Sequence, residues 1–385
     1  MEAVLDEITE ENTFRQRVAD FWHLFAEREY EIRYLLSAGN SPGKAVFDME
    51  QLLRIAFTTP VFDLKQRDDY FELVLSPEGN GSRLYQMAYW RAQAPEELLE
   101  QWDFVVGRPP AGEDRPLAME VEHIWLQADE ISVWPILLPD GRLGIESYSE
   151  KLLLLEEATA YTAFCTLLEQ CLGELCLMSN VEYVNLLLQP ALEEPVLLSD
   201  LAAYIADLQM AGQLPPQDDP LGLFTSYTME PQETWMGLRD DIYFGSTSAA
   251  ALPVLNSYYT GEESLFDLAA RDGVLWGFLF YDNAGLDTEQ RVHVRAALEE
   301  NLNRVLVEQA LGECIGSASG YQYAYLDCIC YDWQAFLEAA YQVMDGYLAL
   351  YQIPVAGFCE FRRSGQVIVL KQENLQSCVT DGTNR

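Results

Sequence analysis

EQALGECIGSASGYQYAYLDCICYDW, residues Glu308–Trp333, reads as a helix end, a strand, a glycine–serine turn, a second strand and a new helix start. A shorter version, EQCLGELCLMSNVEYVNLLL, occupies Glu169–Leu188. Within the pair, LLEQCLGELC (Leu167–Cys176) aligns with LVEQALGECI (Leu306–Ile315), and Tyr183-Val184-Asn185 with Tyr325-Leu326-Asp327. Upstream, VWPILLPDG (Val133–Gly141) matches LWGFLFYDN (Leu275–Asn283). Downstream, Asp200 with Ala203-Tyr204-Ile205 resembles Asp332 with Ala335-Phe336-Leu337. Order is preserved throughout, so the sequence predicts a strand–helix–strand–helix unit repeated once per domain. Chance similarity between two such units is the alternative. Gly173 and Gly312 read as left-handed caps that stop a helix. Glu174 and Glu313 then stand at strand starts, as solvated or locally hydrogen-bonded carboxylates.

The proline- and aspartate-rich stretch 213–221 is incompatible with a packed element and marks a linker. It separates an N-terminal α+β domain, 1–212, from a C-terminal one, 222–385. The predicted fold class is α+β, two domains with mainly antiparallel sheets backed by helices, related by internal duplication. In the first domain, apolar residues at helical spacing (Phe14, Val18, Phe21, Phe25, Ile32) predict a helix over 10–37. Strands are expected at Met49–Thr58, Tyr70–Leu75, Trp102–Val106, Leu117–Gln127, Glu130–Leu138 and Arg142–Tyr148. Ser76–Asn80 is a turn before a helix from Ser82. Helices are expected from Ala158 to Gly173 and from Ser199 to Ala211. In the second domain, Asp287-Thr-Glu-Gln290 has the pattern of a capping box and opens a long helix. Another helix runs from Asp332 to Leu350, and a hairpin, Val355–Phe361 with Gln366–Leu370, closes the fold. The tail from Gln372 is polar and expected to fray.

The formal net charge of −39 is the extreme number in the composition, and only four lysines occur: Lys44, Lys65, Lys151 and Lys371. Phosphate binding needs clustered Lys and Arg, so nucleic acid is disfavoured as a direct ligand. The acid excess reads either as a solvated, self-repelling surface or as a charge aimed at a basic protein partner. A halophilic origin is a third reading, disfavoured by the abundant large aromatic residues. The chain opens MEAVLDEITEEN, without the basic and apolar regions of a signal peptide, and no apolar run reaches the ~20 residues that span a bilayer. Most of the eight cysteines sit inside apolar patterns, as reduced core thiols do. These features predict a cytoplasmic protein away from membranes, whose oligomeric state they leave open.

No catalytic or metal-binding constellation stands out. His23, His123 and His293 lie far apart, outside any HExxH or triad context. No C-x-x-C pair suggests zinc, and neither a P-loop nor a dinucleotide fingerprint is present. No cofactor and no metal are therefore expected, and no catalytic residue is assigned. Period-2 alternation along Tyr321–Tyr331 places Tyr321, Tyr323, Tyr325, Asp327, Ile329 and Tyr331 on one strand face. Gln322, Ala324, Leu326, Cys328 and Cys330 occupy the other, which suits packing on a helix. The tyrosine row is either a half-buried sheet face or a recognition surface. Tyr321, Tyr323, Tyr325 and Asp327, with Arg239 of the Arg239-Asp240-Asp241 run, are the candidate binding residues.

Phe71-Glu-Leu-Val-Leu-Ser-Pro-Glu-Gly79, with the following amphipathic helix, Ala94-Pro95 and Trp102, resembles a pattern in uncharacterised bacterial proteins. Arg239-Asp-Asp-Ile242, Gly273–Tyr281 and Gly316–Trp333 are similar to a bacterial domain-of-unknown-function family. Some of its relatives are comparable to proteins of the "regulator of ribonuclease activity B" type. The resemblance covers about two thirds of the chain and rests on turn and strand residues, so it implies fold more than activity. GSASG stands where the family pattern is more glycine-rich. The functional expectation is a binding or regulatory protein acting on a protein partner, with a basic partner fitting the charge. Whether the chain is an enzyme stays open, the alternative being a hydrolase with carboxylates in an inter-domain cleft. A purely structural interaction module is a third possibility.

Overall fold

The computed structural model describes residues 12–37, 41–67, 69–112, 117–139, 141–214, 219–230 and 237–372. Expectations placed on 1–11, Asn40, 113–116, Asp140, 215–218 and the tail beyond 372 fall outside the described residues. In chain order the elements are α1 (Phe14–Ser37), α2 (Pro42–Ala56), β1 (Phe62–Gln66), β2 (Phe71–Leu75), α3 (Gly81–Ala92), β3 (Trp102–Val106), β4 (Ala118–Val121), β5 (Ile124–Gln127), β6 (Ser132–Leu137), β7 (Leu143–Tyr148), α4 (Glu157–Leu172), α5 (Glu174–Asn180), β8 (Val181–Leu186), β9 (Val196–Leu197) and α6 (Leu201–Met210). There follow β10 (Phe224–Thr228), β11 (Ile242–Ser248), α7 (Leu252–Thr260), α8 (Ser264–Arg271), β12 (Leu275–Asp282), α9 (Thr288–Glu308), β13 (Gly312–Gly320), β14 (Tyr323–Cys330), α10 (Trp333–Leu350), β15 (Val355–Glu360) and β16 (Val367–Gln372). The protein is α+β, with mostly antiparallel sheets. No helix among the described residues is long and apolar enough to cross a membrane.

Contacts divide the chain into two compact units, Met1–Pro60 with Ala92–Leu98 and Phe224–Arg385, and Val61–Arg91 with Leu99–Leu223. The boundary at Leu223 adjoins the expected linker. The first sixty residues, however, group with the C-terminal half and not with 61–212. Long-range polar contacts account for this. Arg17 of α1 is buried and donates from Nε to the Ile55 carbonyl at 2.7 Å and from Nη1 to the Arg271 carbonyl. Asp272 accepts from both the amide and the hydroxyl of Thr58, at 2.7 and 2.6 Å. The expected strand Met49–Thr58 lies largely in α2, because Met49, Leu52, Leu53 and Ala56 are buried at helical spacing.

The unit containing the C-terminal half is built on a seven-stranded antiparallel sheet, β10-β11-β13-β14-β12-β15-β16. Leu326, Cys328 and Cys330 of β14 and Leu279 of β12 point to one face, where they share a core with Leu298 and Leu302 of α9 and Phe336 of α10. Each buried leucine or phenylalanine contributes roughly 1.5–3 kcal/mol. Both helices start as their sequences demand. Asp287 and Gln290 form the expected capping box, with hydrogen bonds of 2.9 and 3.1 Å, and Asp332 accepts from the Ala335 amide at 3.4 Å.

The glycine–serine run is not the turn. Gly316–Gly320 belongs to β13, and the chain reverses at Tyr321-Gln322. A β-carbon on Gly316 would lie 2.5 Å from the Ser246 carbonyl oxygen and 2.8 Å from Thr247 Cα, so these small residues mark the close approach of β11. Gly312 is likewise a strand residue. The left-handed residue at the end of α9 is Ala310, with φ +55.

The other unit carries a three-stranded sheet, β1-β2-β3, a four-stranded sheet, β8-β7-β6-β9, and the hairpin β4–β5. The expected single strand Leu117–Gln127 reverses at Glu122 and His123, both with positive φ. The pairs β2–β3 and β7–β8 are parallel, which requires crossovers, supplied by α3 and by α4 with α5. Phe164, Leu167 and Leu168 of α4 pack with Val133, Leu143 and Ile145 of the larger sheet. Gly173 does end α4, with φ +77, but a helix follows it and not a strand. Glu174 is buried there, and its carboxylate accepts from the Ser76 hydroxyl at 3.0 Å and from the Gly79 and Arg108 amides, each at 3.1 Å. It ties the turns after β2 and β3 to the start of α5.

The matched sequence segments do not share a topology. β6 turns into β7 through a hairpin, whereas β12 runs into α9. β8 is an edge strand parallel to β7, whereas β14 lies between two antiparallel neighbours. The α+β class stands, and the two units are not copies of one arrangement.

Candidate functional site

The alternation expected along β14 is present, but the tyrosine face is closed. Tyr325, Asp327, Ile329 and Tyr331 are buried, Tyr323 is half-buried, and Tyr321 alone of the row is 53% exposed. Tyr321 packs beside Tyr243 in a tilted arrangement, with ring centroids 5.2 Å apart. The covering segment brings Arg239 onto Asp327. Nη2 donates to Oδ2 at 3.2 Å, Nη1 donates to Oδ1, and both side chains are fully buried. The guanidinium lies 4.9 Å from the Phe361 ring centre and 5.1 Å from that of Phe278. Burial opposes the Arg239 charge, yet the Asp327 carboxylate overrides it and holds the group well above its ordinary pKa. Burial likewise raises the phenols of Tyr227 and Tyr325, and takes that of Tyr258 to about 12 against the pull of Arg239.

A second carboxylate completes this network. The Tyr325 hydroxyl donates to Asp241 at 2.5 Å and accepts from the Arg239 amide at 2.9 Å. Asp241 also accepts from the amides of Gln322 and Tyr323, each at 2.9 Å, which fixes the β13–β14 turn. Its neighbour Asp240 pairs with Arg363 instead, at 2.9 Å. The structure therefore brings Arg239, Tyr325 and Asp327 together, puts Tyr323 at the margin of the network and leaves Tyr321 outside it. A buried, internally neutralised network of this kind fastens a covering segment to a sheet. It presents no open tyrosine surface to a partner.

An open concavity lies in the other unit, where the parallel strands β7 and β8 end. After β7 the chain turns away through Ser149 and Leu152 to the start of α4, and after β8 it continues through Leu187 and Leu188. The crevice opens beyond the carboxyl ends of this adjoining parallel pair. Here it is a cleft of about 990 Å³. Its floor is Ser147 and Ala160, and its walls include Leu152, Leu155, Val184 and Leu186. At the rim Leu153, Tyr161 and Leu188 are exposed, Leu188 to 85%. Glu156 and Glu157, also exposed, put negative charge on the α4 side. Among the described residues neither forms an ion pair, and Lys151 nearby is engaged by Glu130 and the Trp125 carbonyl. The Tyr161 phenol is raised by the neighbouring Cys165 and by burial, so it stays a neutral hydroxyl.

The chemistry of this cleft is contact chemistry. The Ser147 hydroxyl donates to the Asn185 carbonyl at 3.2 Å, and the Ser149 hydroxyl accepts from the Lys151 amide at 3.3 Å. Both hydroxyls serve the backbone. β8 stands at the edge of its sheet, so its outer side can receive an extended segment. Among the described residues no group of three or more His, Cys, Asp or Glu side chains is placed to hold a metal ion. No local pattern announces the cleft, because it forms where two strands separated by a crossover end side by side. The available signals were the apolar runs Leu152–Leu155 and Leu186–Leu188, each at the end of an element, with Glu156-Glu157 following the first.

Comparison with family models, with curated proteins and with solved structures finds no match to this chain.

Proposed function

We propose that the protein is a binding protein that takes a cationic, partly apolar segment of a protein partner into the cleft at the ends of β7 and β8. The observation that carries this reading is the composition of the cleft: leucine walls and exposed leucine and tyrosine at the rim, with two glutamates on one side. Apolar side chains of the partner supply the affinity, and the glutamates favour lysine or arginine beside them. The overall charge of −39 acts in the same direction by drawing a basic partner in. The seven described cysteines are free thiols, which supports a reducing, cytoplasmic setting.

The test is a titration of the whole protein with a fluorescein-labelled lysine–leucine peptide, followed by anisotropy. Saturable binding that weakens as salt rises is expected. Glu156→Lys with Glu157→Lys, and separately Leu188→Asp, are each expected to weaken it about tenfold, or ~1.4 kcal/mol. Glu289→Lys with Glu300→Lys, on α9 in the other unit, is the control for non-specific attraction. A control as damaging as the cleft variants contradicts the proposal.

A further inference from the structure

We propose that Cys314 and Cys328 are a modification site, a cross-strand dithiol that hydrogen peroxide closes to a disulfide. The argument is one of register. Cys314 on β13 is the direct partner of Cys328 on β14, and their sulfur atoms are 3.9 Å apart. Directly opposed residues of antiparallel strands have Cα atoms about 4.5–5.5 Å apart, inside the range a disulfide spans. Closing the gap to an S–S bond of about 2.05 Å asks for side-chain rotation rather than movement of a strand. Cys330 shares the face of Cys328 but is opposed by Gly312, which has no side chain to offer, so the partner of Cys314 is specified.

The two thiols differ in access. Cys314 is half-buried, whereas Cys328 is fully buried among residues of the helix-backed core. Burial also holds the Cys328 thiol well above its ordinary pKa, so Cys328 is the slower nucleophile and the half-buried Cys314 meets peroxide first. In the first step the Cys314 sulfur attacks peroxide; the O–O bond breaks, an S–O bond forms, and water leaves. In the second, the Cys328 sulfur displaces the hydroxyl from the Cys314 sulfenic acid, an S–S bond forms, and a second water leaves. The sum is two thiols and one peroxide giving one disulfide and two waters. Both sulfurs are oxidised and both peroxide oxygens are reduced.

No lysine or arginine lies between the two cysteines, so tryptic peptides cannot resolve the bond. Chymotrypsin can, by cutting after Tyr321, Tyr323 and Tyr325. The native protein is treated with peroxide, free thiols are alkylated under denaturing conditions, and the digest is read by mass spectrometry. A peptide carrying Cys314 joined to the peptide carrying Cys328 and Cys330 is expected, released by dithiothreitol. Cys314→Ser and Cys328→Ser each abolish it, and Cys330→Ser retains it. Peroxide that leaves Cys314 and Cys328 alkylatable overturns the proposal. So does a link that survives Cys328→Ser and disappears in Cys330→Ser. Circular dichroism of each variant shows that it is folded, and the wild-type result stands independently of all three.

Discussion

Arg239 and Asp327 show how much one buried ion pair decides. With both side chains fully buried, removing one partner leaves an uncompensated charge, at a cost of about 3–5 kcal/mol. Asp327→Ala is expected to lower the urea midpoint accordingly, whereas Arg239→Met combined with Asp327→Leu is expected to recover most of the loss. The tyrosines around the pair set an alkaline limit. An unfolded phenol ionises near pH 10, while Tyr258 in the folded protein ionises at about 12. Below pH 10 both states are protonated and the contribution of Tyr258 is fully present. Above it the unfolded chain releases protons first, so stability falls as pH rises toward 12. Exposed tyrosines such as Tyr30 and Tyr321 give a first rise in phenolate absorbance near 295 nm with the fold intact, and the share from buried tyrosines such as Tyr258 is expected as a second rise that coincides with loss of near-UV circular dichroism. Tyr325 and Asp327 were legible as candidates because alternation assigns faces and a charge in an apolar strand stands out, and Arg239 because it opens the Arg239-Asp240-Asp241 run before a strand. Alternation does not say what covers a face, and the covering segment here starts more than eighty residues away in sequence.

At the scale of elements, the sequence was most readable where a local rule acts alone. The capping box at Asp287 and the cap at Asp332 were found at the residues expected, because each needs only its own first turn. Glycine was harder to read, since it serves turns and close approaches alike. Gly316 sits against β11, so Gly316→Val is expected to cost about 1–3 kcal/mol through overpacking and loosened pairing with that strand. Gly346 is exposed inside α10 with nothing within 4 Å of an added β-carbon. Gly346→Ala is therefore expected to stabilise by about 0.5–1 kcal/mol. Chemical denaturation of the two variants checks both signs. Tyr183 over Gly144 and Tyr227 over Gly245 are further strand glycines filled by a facing ring. The expected repeat is not shown, for a related reason. Segments that share residues such as Leu, Glu, Gln and Gly at helix ends and strand starts entered different pairings, because the intervening elements differ.

For the molecule as a whole, the grouping of residues 1–60 with the C-terminal half was not legible, because it rests on contacts such as Arg17 with Arg271 that no local pattern announces. A chain beginning at Val61 is expected to lose the Thr58 partner of Asp272 and the packing of Phe14 on Tyr331, and to bind the dye ANS strongly. The central claim, that a basic segment binds at the ends of β7 and β8, is tested most directly by hydrogen–deuterium exchange of the whole protein with and without the lysine–leucine peptide. Protection confined to the chain around 147–162 and 184–188 is the expected result. Protection absent there, or concentrated instead on the exposed edge strand β16, contradicts the account.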